Sequence, residues 1–502
     1  MLTAAHVVLL GADADAQACV AAGLLPVALG RLRRTCSGAR GAAPVGVDWA
    51  RLGQPSELAA AGELRALLYL YIYDKDNLDP FDTLLTAARQ GRCEVVAWVL
   101  GLTRVPPNAL LTVAASASHP NVFRLLTAAG LEHSPTALLT AVKYGNLAFL
   151  TAVLDAGVHP DSKVSLDVSC YSYHGHALIS ACMYGDLACA RALLAAGADV
   201  DIQGGRGGFA LFEAACNGHL ECTWLLIEHS ADVDARDQGG CTALMGATRA
   251  GQHECVRLLI EHKADVHARS NWGRTALNFS RETAQRDETA CTRLVLEAGA
   301  DVHAADDNGR TALMNAALYG ERSLSLLLEA GADVHAADAY GFTPMLSACR
   351  HGIMQTILLL DRLGADPHVV SDDGTTALML ACSRRHGDIV RWLLDKKVDL
   401  DAVQNDPEGN TALMLSSGDQ RRMLIEAGAD LDATDAQGWT VLMYECRFGN
   451  SDAARELIAA GANTWESSEG KCAMELAAEG QHWDCITAVS QARENLQRAC
   501  RK

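Results

Sequence analysis

Apolar residues along most of this chain recur at helical spacing, in pairs of short stretches parted by glycine, and the pair itself recurs. One copy runs Gly309-Arg310-Thr311-Ala312-Leu313, an amphipathic stretch, Gly320, a second apolar stretch, and Gly331-Ala332-Asp333-Val334-His335-Ala336. The Leu or Met closing the Thr-Ala-Leu phrase falls at Leu84, Leu110, Leu138, Leu178, Leu211, Leu244, Leu277, Leu313, Met345, Leu378, Leu413, Leu442 and Met474. From Leu178 onward the steps are 33, 33, 33, 36, 32, 33, 35, 29 and 32 residues. So regular a period predicts a stacked array of helix–turn–helix units, each burying its apolar face against its neighbours.

Within the unit, each punctuating residue has a physical task. Thr242, Thr275, Thr311, Thr376 and Thr411 stand where a first helix starts, and a hydroxyl there satisfies an orphan backbone N–H. Leu244 and Ala247, then Val256, Leu259 and Ile260, keep helical spacing in the first and second helix of one copy. Gly251, Gly320 and Gly352 break the first helix from the second. Gly197, Gly299, Gly331, Gly364, Gly428 and Gly461 sit at the second helix's end, where a left-handed residue is wanted. Ser230, Lys263 and Lys397 hold the same slot, at a cost of about 1 kcal/mol each.

These phrases resemble the ankyrin repeat, whose pattern is a turn, Thr-Pro-Leu-His, two antiparallel helices and a Gly-Ala-Asp finger. Phe342-Thr343-Pro344-Met345 is the nearest match to the proline-containing version. The resemblance covers residues 79 to 502 in thirteen copies and implies an all-α ankyrin-repeat solenoid. Two departures recur. The family's His after Leu is Met at Met245, Met314, Met379, Met414 and Met443, which removes the Thr-to-His hydrogen bond. The family's finger Asn is Asp or His.

Residues 1–47 are Ala- and Gly-rich, with Arg31, Arg33 and Arg34 clustered on what reads as a solvated helix face. Residues 48–78 read as a degenerate capping repeat, and 79–502 as the array with a polar C-terminal cap. Three places break the period. The step from Leu138 to Leu178 predicts an extended finger, Val158 to His174. The 36-residue step places extra residues around Ala284 to Asp287. The copy from Gly409 is 29 long and lacks the Gly between its helices, which marks a weak joint.

Charge narrows the partners. Lys plus Arg is 42 and Asp plus Glu 61, a net −19, which argues against nucleic acid because phosphate binding needs concentrated Lys and Arg. Much of the acidity belongs to the Gly-Ala-Asp turns, as at Asp199, Asp232, Asp265, Asp301, Asp333, Asp366, Asp399 and Asp430. The 17 cysteines show no Cys-x-x-Cys and recur at small-residue positions, as Cys182, Cys349, Cys382 and Cys446 do. They read as buried thiols in a reducing compartment. No run approaches the ~18 apolar residues of a membrane span, and the opening lacks a basic region, so a cytoplasmic address and no membrane insertion are expected.

Signals for catalysis and cofactors are poor. Gly204-Gly205-Arg206-Gly207-Gly208 lacks the strand and the Lys-Ser/Thr of a phosphate loop. His267, His303, His335 and His368 recur once per repeat, about 8–10 Å apart by helix-layer spacing. They cannot converge on one metal, and a finger hydrogen bond in place of Asn is expected of them. No enzyme activity, cofactor or metal is therefore expected. The resemblance implies a non-catalytic protein-interaction scaffold or adaptor; a subunit of a large assembly and the substrate-recognition arm of a ubiquitin ligase are the alternatives. Carrying the family's concave binding surface onto this sequence gives Arg206, Trp272, Arg274, Arg310, Tyr340, Phe342 and Trp439 on fingers. On first helices it gives Arg89, Lys143, Tyr144, Tyr184, Asn217, Arg249, Tyr319, Arg350, His351, Arg447 and Phe448. This basic and aromatic set suits a protein partner offering an acidic, apolar peptide or helix.

Overall fold

A computed structural model describes residues 79–102, 135–163, 175–205, 207–280, 288–318, 321–468 and 471–500, with Ala59, Leu67, Val122, Leu125 and Leu126. The expected N-terminal region, capping repeat and most of the Val158–His174 finger lie outside the described residues, as do Arg206, Tyr319, Gly320 and the insertion at Ala284 to Asp287. The chain divides into two compact units between Gln238 and Gly239.

In the first unit the helices are α1 (Pro80–Arg89), α2 (Cys93–Leu102), α3 (Pro135–Lys143), α4 (Leu147–Asp155), α5 (Ala177–Tyr184), α6 (Leu187–Ala195), α7 (Ala210–Cys216) and α8 (Leu220–Glu228). Odd-numbered first helices pack on their own second helices, and α3, α5 and α7 on one another in turn. Asp79, Asn146 and Asp186 cap helices here with side-chain oxygens.

The second unit continues with α9 (Ala243–Arg249), α10 (His253–Glu261), a 3₁₀ turn (Leu277–Phe279), α11 (Glu288–Glu297), α12 (Ala312–Ala316), α13 (Glu321–Glu329), α14 (Pro344–His351) and α15 (Met354–Arg362). Then come α16 (Ala377–Ser383), α17 (Gly387–Asp395), α18 (Ala412–Leu415), α19 (Asp419–Ala427), α20 (Val441–Phe448) and α21 (Ser451–Ala460). A two-residue hairpin pairs β1 (Ser467–Ser468) with β2 (Lys471–Cys472), and α22 (Ala473–Glu479) and α23 (Trp483–Cys500) close the unit. Among the described residues no helix is long and apolar enough to cross a membrane.

The core is built from the periodic residues. Leu178, Leu211, Leu244, Leu277, Leu313, Met345, Leu378, Leu413 and Leu442 are all buried, each contributing about 1.5–3 kcal/mol by area removed from water. Cys182, Cys349, Cys382 and Cys446 pack beside them as free thiols, and burial pushes those of Cys349 and Cys382 up to about 12. Thr242, Thr311, Thr376, Thr411 and also Thr343 and Thr440 accept from the amide three residues on. In the Thr376 copy the missing histidine is replaced, since the Thr376 N–H donates to Met379 Sδ at 3.4 Å.

The structure corrects three expectations. Thr275 caps no helix: its N–H and hydroxyl both donate to Asn278 Oδ1, at 3.0 and 2.9 Å, and the chain makes only the 3₁₀ turn. Asn278 then donates to the carbonyls of Ala304 and Arg310, so an amide side chain ties this copy to the next. The 29-residue copy does have a glycine between its helices. Gly418 (φ +55°) stands there, arriving early because α18 is a single turn. Finally, the four finger histidines are exposed, and their imidazoles make no hydrogen bond among the described residues. Copies with Asp at that position do bond: Asp401 and Asp432 accept from the amides of Asp430 and Asn463 in the following copies.

Candidate functional site

Fingers of the second unit are held in register by their backbones. The amides of Asn271, Asp307, Ala339, Asp372, Asn405 and Ala436 each donate to a carbonyl of the preceding finger, at 2.7–3.1 Å. At the finger tip Gly341 has φ +75°, and a Cβ added there would lie 2.8 Å from the Asp372 nitrogen. The Trp272 turn is closed by the Ser270 hydroxyl, and three later turns by an aspartate. Asp306 accepts from the amides of Asn308 and Arg310, Asp338 from Tyr340 and Phe342, and Asp435 from Gln437 and Trp439.

The second oxygen of each of these aspartates binds a neighbouring side chain. Arg274 reaches Asp306 at 3.2 Å and Arg310 reaches Asp338 at 3.8 Å, with both carboxylates nearly dry. Tyr444 donates its hydroxyl to Asp435 at 2.5 Å, and burial together with this bond pushes the phenol up to about 12. Arg274 and Arg310 are thus finger clamps as well as surface groups, while Arg269 bridges Asp307 and the Ala305 carbonyl in the same style.

Among the candidates, Trp272, Tyr340 and Phe448 are largely exposed, at 56%, 64% and 69%. Phe342 is half-buried beneath the Arg350 guanidinium, whose central carbon lies 6.0 Å from the ring centroid. Trp439, Tyr444 and Phe448 form a ladder, with centroids 5.1 Å and then 6.4 Å apart. Arg249 and Arg447 end their helices exposed. The structure brings together Trp439 with Phe448, and Phe342 with Arg350. It places Trp272 and Arg249 on other repeats of the same unit.

Positive charge collects at the helix ends rather than on the fingers. His351 lies within electrostatic reach of Arg350, Arg384, Arg310 and His386; its own burial first, then these cations, hold its pKa below the usual imidazole value. The fingers, in contrast, expose Asp307, Asp372 and Asp373, so the face is less poor in carboxylates than the candidate set suggests. Arg384 and Tyr444 were not among the candidates. Arg384 stands six residues after Leu378, as His351 stands six after Met345, so the repeat register alone locates it. Among the described residues no group of three His, Cys, Asp or Glu side chains could hold a metal ion.

Comparison with known proteins agrees with this architecture. The sequence profile of the family described as ankyrin repeats (three copies) matches residues 178–270, 280–362, 348–435 and 420–498, more than half of the chain. Protein phosphatase 1 regulatory subunit 27 of Mus musculus is 37% identical over 86 residues, which is 16% of this chain. The match spans only about half (54%) of that relative's own length.

Proposed function

Given that the chain belongs to the ankyrin-repeat family, whose arrays bind protein partners, we propose that it is a non-catalytic scaffold or adaptor. It engages its partners through the face made by the fingers and the C-terminal ends of the first helices. The supporting observation is the set of large aromatic side chains left in water on that face, Trp272, Tyr340 and Phe448. Exposed aromatics of this kind supply the few contacts that dominate interface energy. Trp272 and Tyr340 stand on fingers joined by backbone hydrogen bonds and Phe448 ends a packed helix, so little ordering cost is left for binding. Acidic groups of a partner are matched by Arg350, His351, Arg384 and Arg447 at the helix ends.

The relative's name favours a second, narrower reading, in which the chain is a regulatory subunit and one partner is a protein phosphatase. Affinity purification of the full chain with crosslinks mapped by repeat tests both. Crosslinks on the finger and first-helix face, lost on Trp272→Ala, Tyr340→Ala and Phe448→Ala together, support the scaffold. Crosslinks confined to the second-helix face overturn it. A phosphatase among the crosslinked chains decides the narrower reading.

A further inference from the structure

Two consecutive repeats of the second unit bring Arg350, His351 and Arg384 within electrostatic reach of one another. Arg350 and His351 end α14, and Arg384 follows α16, all three exposed. No ion pair engages Arg350 or Arg384 among the described residues. A chain of contacts fixes their places. Arg310 is held by Asp338, whose other oxygen accepts the Phe342 amide at 2.9 Å, and Arg350 lies over the Phe342 ring. His386 Nε2 lies 3.3 Å from the Arg350 carbonyl, and Gly352 abuts the same imidazole so closely that a Cβ would come within 2.5 Å of it. The turn after Arg350 and His351 is therefore pressed onto the turn that carries Arg384.

Taking the finger and first-helix face as the binding surface, we infer that Arg350, His351 and Arg384 seat a phosphorylated serine or threonine of a protein partner, with Arg310 behind them. One carboxylate would neutralise one of the two free guanidiniums. A phosphate monoester carries −1.5 to −2 charges and three strong acceptor oxygens, enough for paired donors from both guanidiniums. The imidazole adds a further donor, and a dianion beside it favours its protonated form, offsetting the nearby cations. Asp372 and Asp373, exposed on the following finger, repel a second phosphate, so the site takes one. A chain of net charge −19 that exposes this group of cations selects against unphosphorylated acidic surfaces at large.

The full chain should be presented with two immobilised degenerate peptide pools, one with a fixed central phosphoserine or phosphothreonine and one with the unmodified residue. The phosphorylated pool is expected to bind more tightly, on the order of tenfold, as charge-assisted bidentate contacts allow. Arg350→Gln with Arg384→Gln, both exposed and so tolerated by the fold as checked by thermal melting, should abolish the preference. Arg362→Gln with Arg391→Gln, both exposed on second helices away from this face, should leave it in place. Equal binding of the two pools, or a preference that survives the first double substitution, overturns the phosphate seat. So does tighter binding to vesicles containing phosphatidic acid than to the phosphorylated pool. None of these touches the scaffold reading, which falls only if partner crosslinks leave this face.

Discussion

Arg421 and Glu445 form an ion pair buried between α19 and α20, with side chains 5% and 11% exposed. The same guanidinium donates to the Ser416 carbonyl at 3.0 Å, just beyond the single turn of α18. An arginine thus fills the space that a missing helical turn leaves, and joins the shortest copy to the next one. Removing either partner strands a buried charge, and Arg421→Ala is expected to cost about 3–5 kcal/mol. Replacing both by apolar residues of similar volume should cost far less. Denaturant titrations of the two single variants and the double variant check this, and equal losses in all three would refute it.

Local opening should follow from the same truncation. Residues 409 to 437 bury fewer helical turns than the copies around them, so their amides are expected to exchange faster than those of α16, α17, α20 and α21. Arg421→Ala should accelerate that exchange further. Uniform protection from Thr376 to Thr440, read by hydrogen exchange, would count against both expectations.

Glycine at the finger tips and its absence at some helix ends make opposite predictions. Gly341→Ala places a Cβ against the Asp372 nitrogen at φ +75°, and about 1–3 kcal/mol of stability should be lost. Lys263, at φ +65° in a slot that is glycine in most copies, should behave in reverse. Lys263→Gly is expected to gain about 1 kcal/mol. Thermal melts of the two variants should move in opposite directions.

His351 offers a titration that reports on the cationic cluster. Its pKa lies below the ordinary 6.5 because of partial burial and then Arg350, Arg384, Arg310 and His386. NMR titration should place the midpoint below that value, so the ring is neutral at pH 7. Arg384→Gln removes one repelling cation and should raise the midpoint part of the way, leaving the burial contribution. A midpoint unmoved by that change would mean that Arg384 does not face the ring.

Binding and folding should separate at Tyr340 and Phe342. Tyr340 is largely in water, so Tyr340→Ala should weaken partner binding by about 2 kcal/mol without moving the melting temperature. Phe342 lies under Arg350 and beside the Asp338 turn, so Phe342→Ala should lower both. Arg310→Glu should likewise destabilise its finger, because it sets a second carboxylate against Asp338. Calorimetry on the free chain and titration with a crosslinked partner distinguish these cases.

The architecture was legible because it rests on short-range rules that act in every copy. Buried Leu at a fixed period, Thr before it and a left-handed residue after the second helix suffice to place helices and turns. Glycine identity in that last slot was not needed, as Ser230 and Lys397 show with φ +65° and +59°. What escaped the sequence depends on which side chain meets which across some thirty residues. Arg274 pairing with Asp306 is settled by the register of one finger on the next, which no local pattern encodes, whereas Tyr444 meets Asp435 nine residues away within its own copy. Asn278 likewise undid a helix by bonding backward to Thr275 and forward to Ala304 and Arg310 at once. The aromatic candidates were found by exposed position in the repeat; their ladder at Trp439, Tyr444 and Phe448 required the helix to be seen.

Methionine in place of histidine after the signature leucine has an effect beyond packing. A thioether has no proton to gain, whereas an imidazole changes charge between pH 5 and 8. Where Met379 accepts the Thr376 amide, the start of the helix is closed by an atom indifferent to acidity. Met245, Met314 and Met443 stand buried at the matching positions. Mild acidification therefore leaves these helix starts as they are.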